Sequence, residues 1–211
     1  MSICFDGGYP EHLARCASLM ESRGWRASFF PAPARLFDDP AAWRSLPERG
    51  HEIGNHSLFG IADHGSLLNW TLEMVQTDIQ MTQDLLDEIF GTSAESFALP
   101  GWSTACMDGD YLPFVQEQFR YVRSDERGIN RAGEIDAKHL KSMPLHPLLI
   151  KEVRALLSNA EPGDWLILRV GELDRRLAGI GDDLVALLEE IKASTALVGP
   201  IRELGESHVI R

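Results

Sequence analysis

Cysteine is scarce in this chain. Cys4, Cys16 and Cys106 are odd in number and fit neither a disulfide framework nor a Cys-x-x-Cys metal or redox spacing. A reduced, cytoplasmic setting is therefore expected. Clustered positive charge is also missing. The formal net charge is −12, which argues against a nucleic-acid or anionic-membrane partner, since both select a basic surface. No apolar run approaches the ~20 residues needed to span a bilayer. The opening run Ile3–Phe5 is cut off by Asp6, too early for a secretory leader. Repeats, low-complexity stretches and linkers are absent too. What remains is ordinary globular composition, with 44% hydrophobic and 25% charged residues in 211. That length suits one domain over residues 1–211 with a sizeable core.

Periodicity and breakers divide the chain into alternating elements. Ile3–Phe5 reads as a strand that stops at Asp6-Gly7-Gly8, and a helix follows over His12–Arg23, with Gly24 as its stop. Ala27–Phe30 is a strand closed by Pro31 and Pro33, and Pro40–Arg49 a short helix. Glu52–Gly54 is a brief strand that runs into Asn55-His56-Ser57. Trp70–Phe90 carries the longest helical stripe, stopped by Gly91. Strands are read at Ser96–Leu99, Tyr121–Arg123 and Trp165–Val170, with helices at Tyr111–Phe119, Leu148–Ala160 and Gly181–Ser194. A last short strand is read at Ala196–Val198, and the tail from Ile201 is left unassigned. Strand–helix alternation of this kind makes a parallel sheet covered by helices, either open or rolled into a barrel.

Asp6, His56, Pro100 and Glu172 each fall just past a strand. In parallel α/β folds that is where side chains distant in sequence converge on a site. The surrounding residues resemble the polysaccharide-deacetylase (NodB-homology) family. Cys4-Phe5-Asp6-Gly7-Gly8-Tyr9 is similar to its Thr-Phe-Asp-Asp-Gly motif. Gly50-His51-Glu52-Ile53-Gly54-Asn55-His56-Ser57 resembles its histidine motif, the most specific of the set. Phe97-Ala98-Leu99-Pro100-Gly101 resembles the Arg-Pro-Pro-Tyr-Gly motif. Trp165-Leu166-Ile167-Leu168-Arg169-Val170-Gly171 resembles the strand that ends in a catalytic histidine.

The resemblance implies a distorted (β/α) barrel of about seven strands. It also implies a hydrolase that removes N- or O-acyl groups from sugars, using zinc or a similar divalent metal held by one Asp and two His. Such an ion activates water and polarises the acyl carbonyl, while a second Asp takes a proton and a late His gives one. Asp6 matches the base and His56 the first metal histidine. The other positions depart from the pattern: Gly7 stands where the metal Asp belongs, Gly60 where the second metal His belongs, and Ala98 where an arginine orients the base. Val170 falls at, or next to, the general acid. His64, four residues past Gly60, could restore the second histidine, and Glu172 could supply an acid or base. Tyr9, Pro100 and Trp102 are assigned to the substrate cleft, Trp102 by stacking on a sugar. His51 is expected to support its turn.

Three functions remain open. The first is a divergent hydrolase of a non-peptide C–N or ester bond in a sugar-like or small acylated substrate, with the metal on His56 and His64. The second is a catalytically inactive relative that binds a carbohydrate or a partner. The third is a metal-free acid/base enzyme using Asp6 and Glu172. The sequence does not give the oligomeric state.

Overall fold

The computed structural model describes residues 1–58, 67–171, 180–194 and 196–209. The strands are β1 (Ser2–Gly7), β2 (Ser28–Pro31), β3 (Glu52–Ile53), β4 (Ser96–Ala98), β5 (Tyr121–Arg123), β6 (Met143–Pro144) and β7 (Ile167–Val170). The sheet order is β3-β2-β1-β7-β6 with β4-β5 as a separate pair, and every pairing is parallel. Two parallel bridges join the pieces: Asn55 to Phe97 between β3 and β4, and Arg123 to Leu140 between β5 and the approach to β6. The ring closes through these single bridges, so the barrel is a distorted one, as the resemblance implies.

Strand alternation sorts the side chains between the barrel interior and two outer clusters, one of which packs Phe97 and Val122 against α4 and α5. Ile3 and Phe5 of β1 and Leu168 and Val170 of β7 pack outward, with Phe29, Trp43, Leu187, Leu188 and Ile191, against the helical layer. Cys4, Phe30, Ala98, Tyr121 and Ile167 point inward and fill the barrel. The helices are α1 (Ala17–Glu21), α2 (Pro33–Leu36), α3 (Pro40–Glu48), α4 (Leu72–Phe90), α5 (Leu112–Gln118), α6 (Ile150–Ser158), α7 (Ile180–Ala193) and α8 (Ile201–Val209). A π-helical turn, His12–Cys16, leads into α1. Helix α4 starts on Thr71, whose side chain accepts the Met74 N–H, and ends on Gly91 at φ 70°. Among the described residues no helix is long and apolar enough to cross a membrane.

Three expectations change. Ala196–Val198 is not a strand; it leads into α8, whose Ile201 and Leu204 are buried against the barrel interior. Pro33 does not simply end β2 but starts the short helix α2, where its fixed φ suits a first turn. The stretch before Leu148 contains β6, too short to show a period.

A candidate site at the carboxyl ends of the strands

Asp6 sits near the end of β1. Since Cys4 faces inward, Asp6, two residues on, does too. Its Oδ2 accepts a hydrogen bond from Nη2 of Arg123 at 2.7 Å; the arginine side chain is 1% exposed and the aspartate 14%. Burial opposes the Arg123 charge, but the Asp6 carboxylate and other nearby anionic groups outweigh it and raise the guanidinium's pKa. The guanidinium also lies over the Phe30 ring, 5.3 Å from its centroid. Arg123 and Ala98 are register partners in the β4–β5 ladder. The arginine absent from β4 is thus supplied from the paired position of the next strand. Sequence reasoning missed it; the signal was a charged residue ending a buried strand.

His56 is 6% exposed. Its Nδ1 lies 2.9 Å from the Ala98 carbonyl oxygen, which can only accept, so Nδ1 donates, and Nε2 is the nitrogen left to offer a lone pair in the neutral ring. The turn that carries His56 is tied to α4. Asn55 donates to the Ile79 carbonyl at 3.2 Å and to Gln83 at 3.1 Å, while its Oδ1 accepts the Ser57 N–H at 2.9 Å. That bond holds Ser57 at φ 65°, a left-handed conformation unusual for serine. The Leu58 N–H donates to Asp78 Oδ2 at 3.0 Å, and burial pushes the Asp78 carboxyl up to about 6.

Other assigned positions fare differently. Gly7 adopts φ 88°, and a Cβ there would lie 2.7 Å from Cε2 of Tyr9. A metal-binding aspartate at this position would have to displace that ring and hold a strained backbone. Val170 faces the helical layer, so it is not in the acid's place. The inward slot at the end of β7 belongs to Arg169, register partner of the inward Cys4. Arg169 Nη1 contacts Asp125 Oδ1 at 3.2 Å, with side chains 22% and 19% exposed. Pro100 is buried, Tyr9 half-buried beneath Arg35, and Trp102 is 90% exposed on the loop after β4. His51 is structural, as expected: it accepts the Ala27 N–H at 3.1 Å and pairs with Glu21 at 2.9 Å. His64 and Glu172 lie outside the described residues.

One further histidine was not foreseen. His12, fully buried, places Nε2 3.1 Å from the Gly171 carbonyl, tying the end of β7 to the loop after β1. It packs on Phe5 and Tyr9, and burial pushes its pKa down. A cavity of about 980 Å³ lined by Met1, Leu166, Leu197 and His208 opens at the opposite end of the barrel, away from this chemistry.

The metal implied by the resemblance does not fit the described donors. Among the described residues no three His, Cys, Asp or Glu side chains come together in a way that could hold an ion. Gly7 offers no donor, which leaves His56 as the only family metal ligand among them.

Comparisons with known proteins bear on the same residues. Residues 1–105 match the family model for polysaccharide deacetylases. A gellan lyase from Bacillus sp. is 31% identical over 99 residues, 47% of this chain but 4% of that protein. The chain therefore spans a small fraction of the curated relative it matches. The structure of a CE4 family pseudoenzyme from Bacillus anthracis aligns over 96% of this chain and 64% of its own, at 13% identity and TM-score 0.64. A family 4 acetyl xylan esterase from Clostridium thermocellum, solved in complex with a cobalt ion, aligns over 96% and 88%, at 17% identity and TM-score 0.63.

Proposed function

This chain is a divergent member of the polysaccharide-deacetylase family, and on that premise we propose that it is a degenerate deacetylase, a single domain over residues 1–211 whose barrel mouth takes up a sugar-like ligand without metal-assisted deacylation. The observation that carries this reading is Gly7. An aspartate there would have to hold a left-handed backbone and push the Tyr9 ring aside. The inward slot where an acid would serve holds Arg169 instead. What remains suits binding: the exposed Trp102, on the loop after β4, would serve as a stacking platform, and Asp6, held by Arg123, sets a polar floor beneath it. Phe37 and Leu148, on the connections after β2 and β6, add exposed apolar surface on the same end. Buried, unpaired cysteines suit a reducing, cytoplasmic setting.

A second reading keeps hydrolysis of a C–N or ester bond, with zinc or a similar ion held by His56 and His64. It is favoured by the bond from His56 Nδ1 to Ala98, which presents Nε2 as a ligating histidine does. One experiment separates the two. Metal content and acetate release from acetylated xylan and chitin oligosaccharides are measured for the wild-type chain, His56→Ala and His64→Ala, alongside oligosaccharide binding. Binding without stoichiometric metal or acetate release supports the first reading. Stoichiometric metal and acetate release, both lost in the two variants, overturn it in favour of the second.

A further inference from the structure

Resting on the reading of the mouth as a sugar site, we infer that its ligand carries a carboxylate, as a uronic acid does, and that Arg169 is the residue that reads it. Arg123 and Arg169 both come from inward strand positions at this end of the barrel, and they differ in access. Arg123 is 1% exposed and committed to Asp6 at 2.7 Å, so it holds the floor and cannot meet a ligand. The Arg169 side chain is 22% exposed and comes from the inward slot that ends β7. Its acid partner is Asp125, at 3.2 Å through Nη1.

A guanidinium carries five N–H donors in a fixed plane. Arg169 Nε is buried out of a ligand's reach, so the donors left to a ligand are those of Nη1 and Nη2. Burial works against its charge; Asp125 and Asp6 restore part of it, and Arg123 and Arg127 oppose it. A half-buried cation with one contact and spare donors lacks an acceptor group. A planar carboxylate meets that need with two parallel charge-assisted bonds. The single carbonyl oxygen of a neutral acetylated sugar does not, and an amine would be repelled. Asp125 meets the guanidinium at Nη1 alone, which leaves the Nη1–Nη2 edge for the ligand.

The test is calorimetric titration of the full chain with galacturonate oligosaccharides and with neutral galactose oligosaccharides of equal length, for wild type, Arg169→Ala and Arg169→Lys. The expected result is a preference of about tenfold or more for the uronate, abolished in Arg169→Ala and weakened in Arg169→Lys, which keeps the charge but loses the fork. Affinity for the neutral oligosaccharide stays level across the three. Thermal melts check folding; should Arg169→Ala unfold, Arg169→Lys carries the comparison. Equal affinity for the two sugars, or a uronate preference that survives both substitutions, overturns the carboxylate inference and leaves the sugar site standing. Binding of neither sugar overturns both.

Discussion

The two ends of the barrel treat buried polar groups in opposite ways. At the amino ends of the strands, Glu52 accepts from Ser28 Oγ at 2.6 Å, Ser96 Oγ at 2.5 Å and the Arg202 N–H at 3.1 Å. Ser28 Oγ in turn accepts the Ile201 N–H at 2.9 Å, and Trp165 donates to Ser2 at 3.1 Å. The start of α8 is capped by this network, and the helix plugs the barrel. The Tyr121 hydroxyl and Arg23 Nε are the exceptions there. At the carboxyl ends, Asp6 Oδ1, Arg123 Nε and Nη1, Arg169 Nε, His12 Nδ1 and Asp78 Oδ1 are buried without partners among the described residues. A polar network that closes on itself is a structural part. One left open, where unmet donors and acceptors each carry about 1–3 kcal/mol, marks the end that is built for something other than stability.

The largest test of that contrast is Arg123→Ala. It strands the Asp6 carboxylate and should destabilise the fold by about 3–5 kcal/mol in urea denaturation. Adding Ala98→Arg should recover much of the loss, because the two positions are register partners facing the same interior. A double variant no better than the single one would mean that β5 alone can aim the guanidinium.

Asp78 gives a pH signature. Its folded carboxyl is raised from 3.8 to about 6, so the folded state holds a proton that the unfolded chain has released. The stabilisation is complete below about pH 4 and is lost as pH rises through about 6, on the order of 3 kcal/mol. Asp78→Asn should match wild type near pH 4, exceed it at pH 8, and flatten that slope. Parallel stability–pH curves for the two proteins would contradict this.

At the closed end the effect is smaller. Glu52→Gln keeps the size of the side chain but forces an N–H₂ toward groups that already donate to it, and should lose about 1–3 kcal/mol. Its thermal melt should lose the α8 signal together with the rest of the protein, not ahead of it. Gly7→Asp has the smallest expected cost, about 1–2 kcal/mol for a left-handed non-glycine residue. It should leave the purified protein without stoichiometric metal. Metal uptake by that variant would show that the Tyr9 ring yields, and would weaken the binding-only reading.

Much of the fold was legible from one dimension. Alternating strands and helices ended by Gly24, Gly50 and Gly91 gave the parallel architecture, and the run from Gly50 to Ser57 pointed to the family. Inward and outward faces could be read wherever a strand exceeded three residues, as in β1 and β7. Elements of two residues, such as β3 and β6, carry no period, and α8 has a weak apolar stripe whose burial depends on the barrel it plugs.

The site was legible only in part. Local sequence determined that Asp6 and His56 stand at strand ends and that Gly7 cannot ligate, since each of these follows from a residue type and its immediate neighbours. That Arg123 holds Asp6 across 117 positions of chain was decided by the pairing of β4 with β5. That Arg169, rather than Val170, faces the mouth was decided by its register with Cys4. Register and closure are properties of strands brought together by the whole core. A one-residue slip would exchange every inward side chain for an outward one, so no single segment of the sequence carries that information.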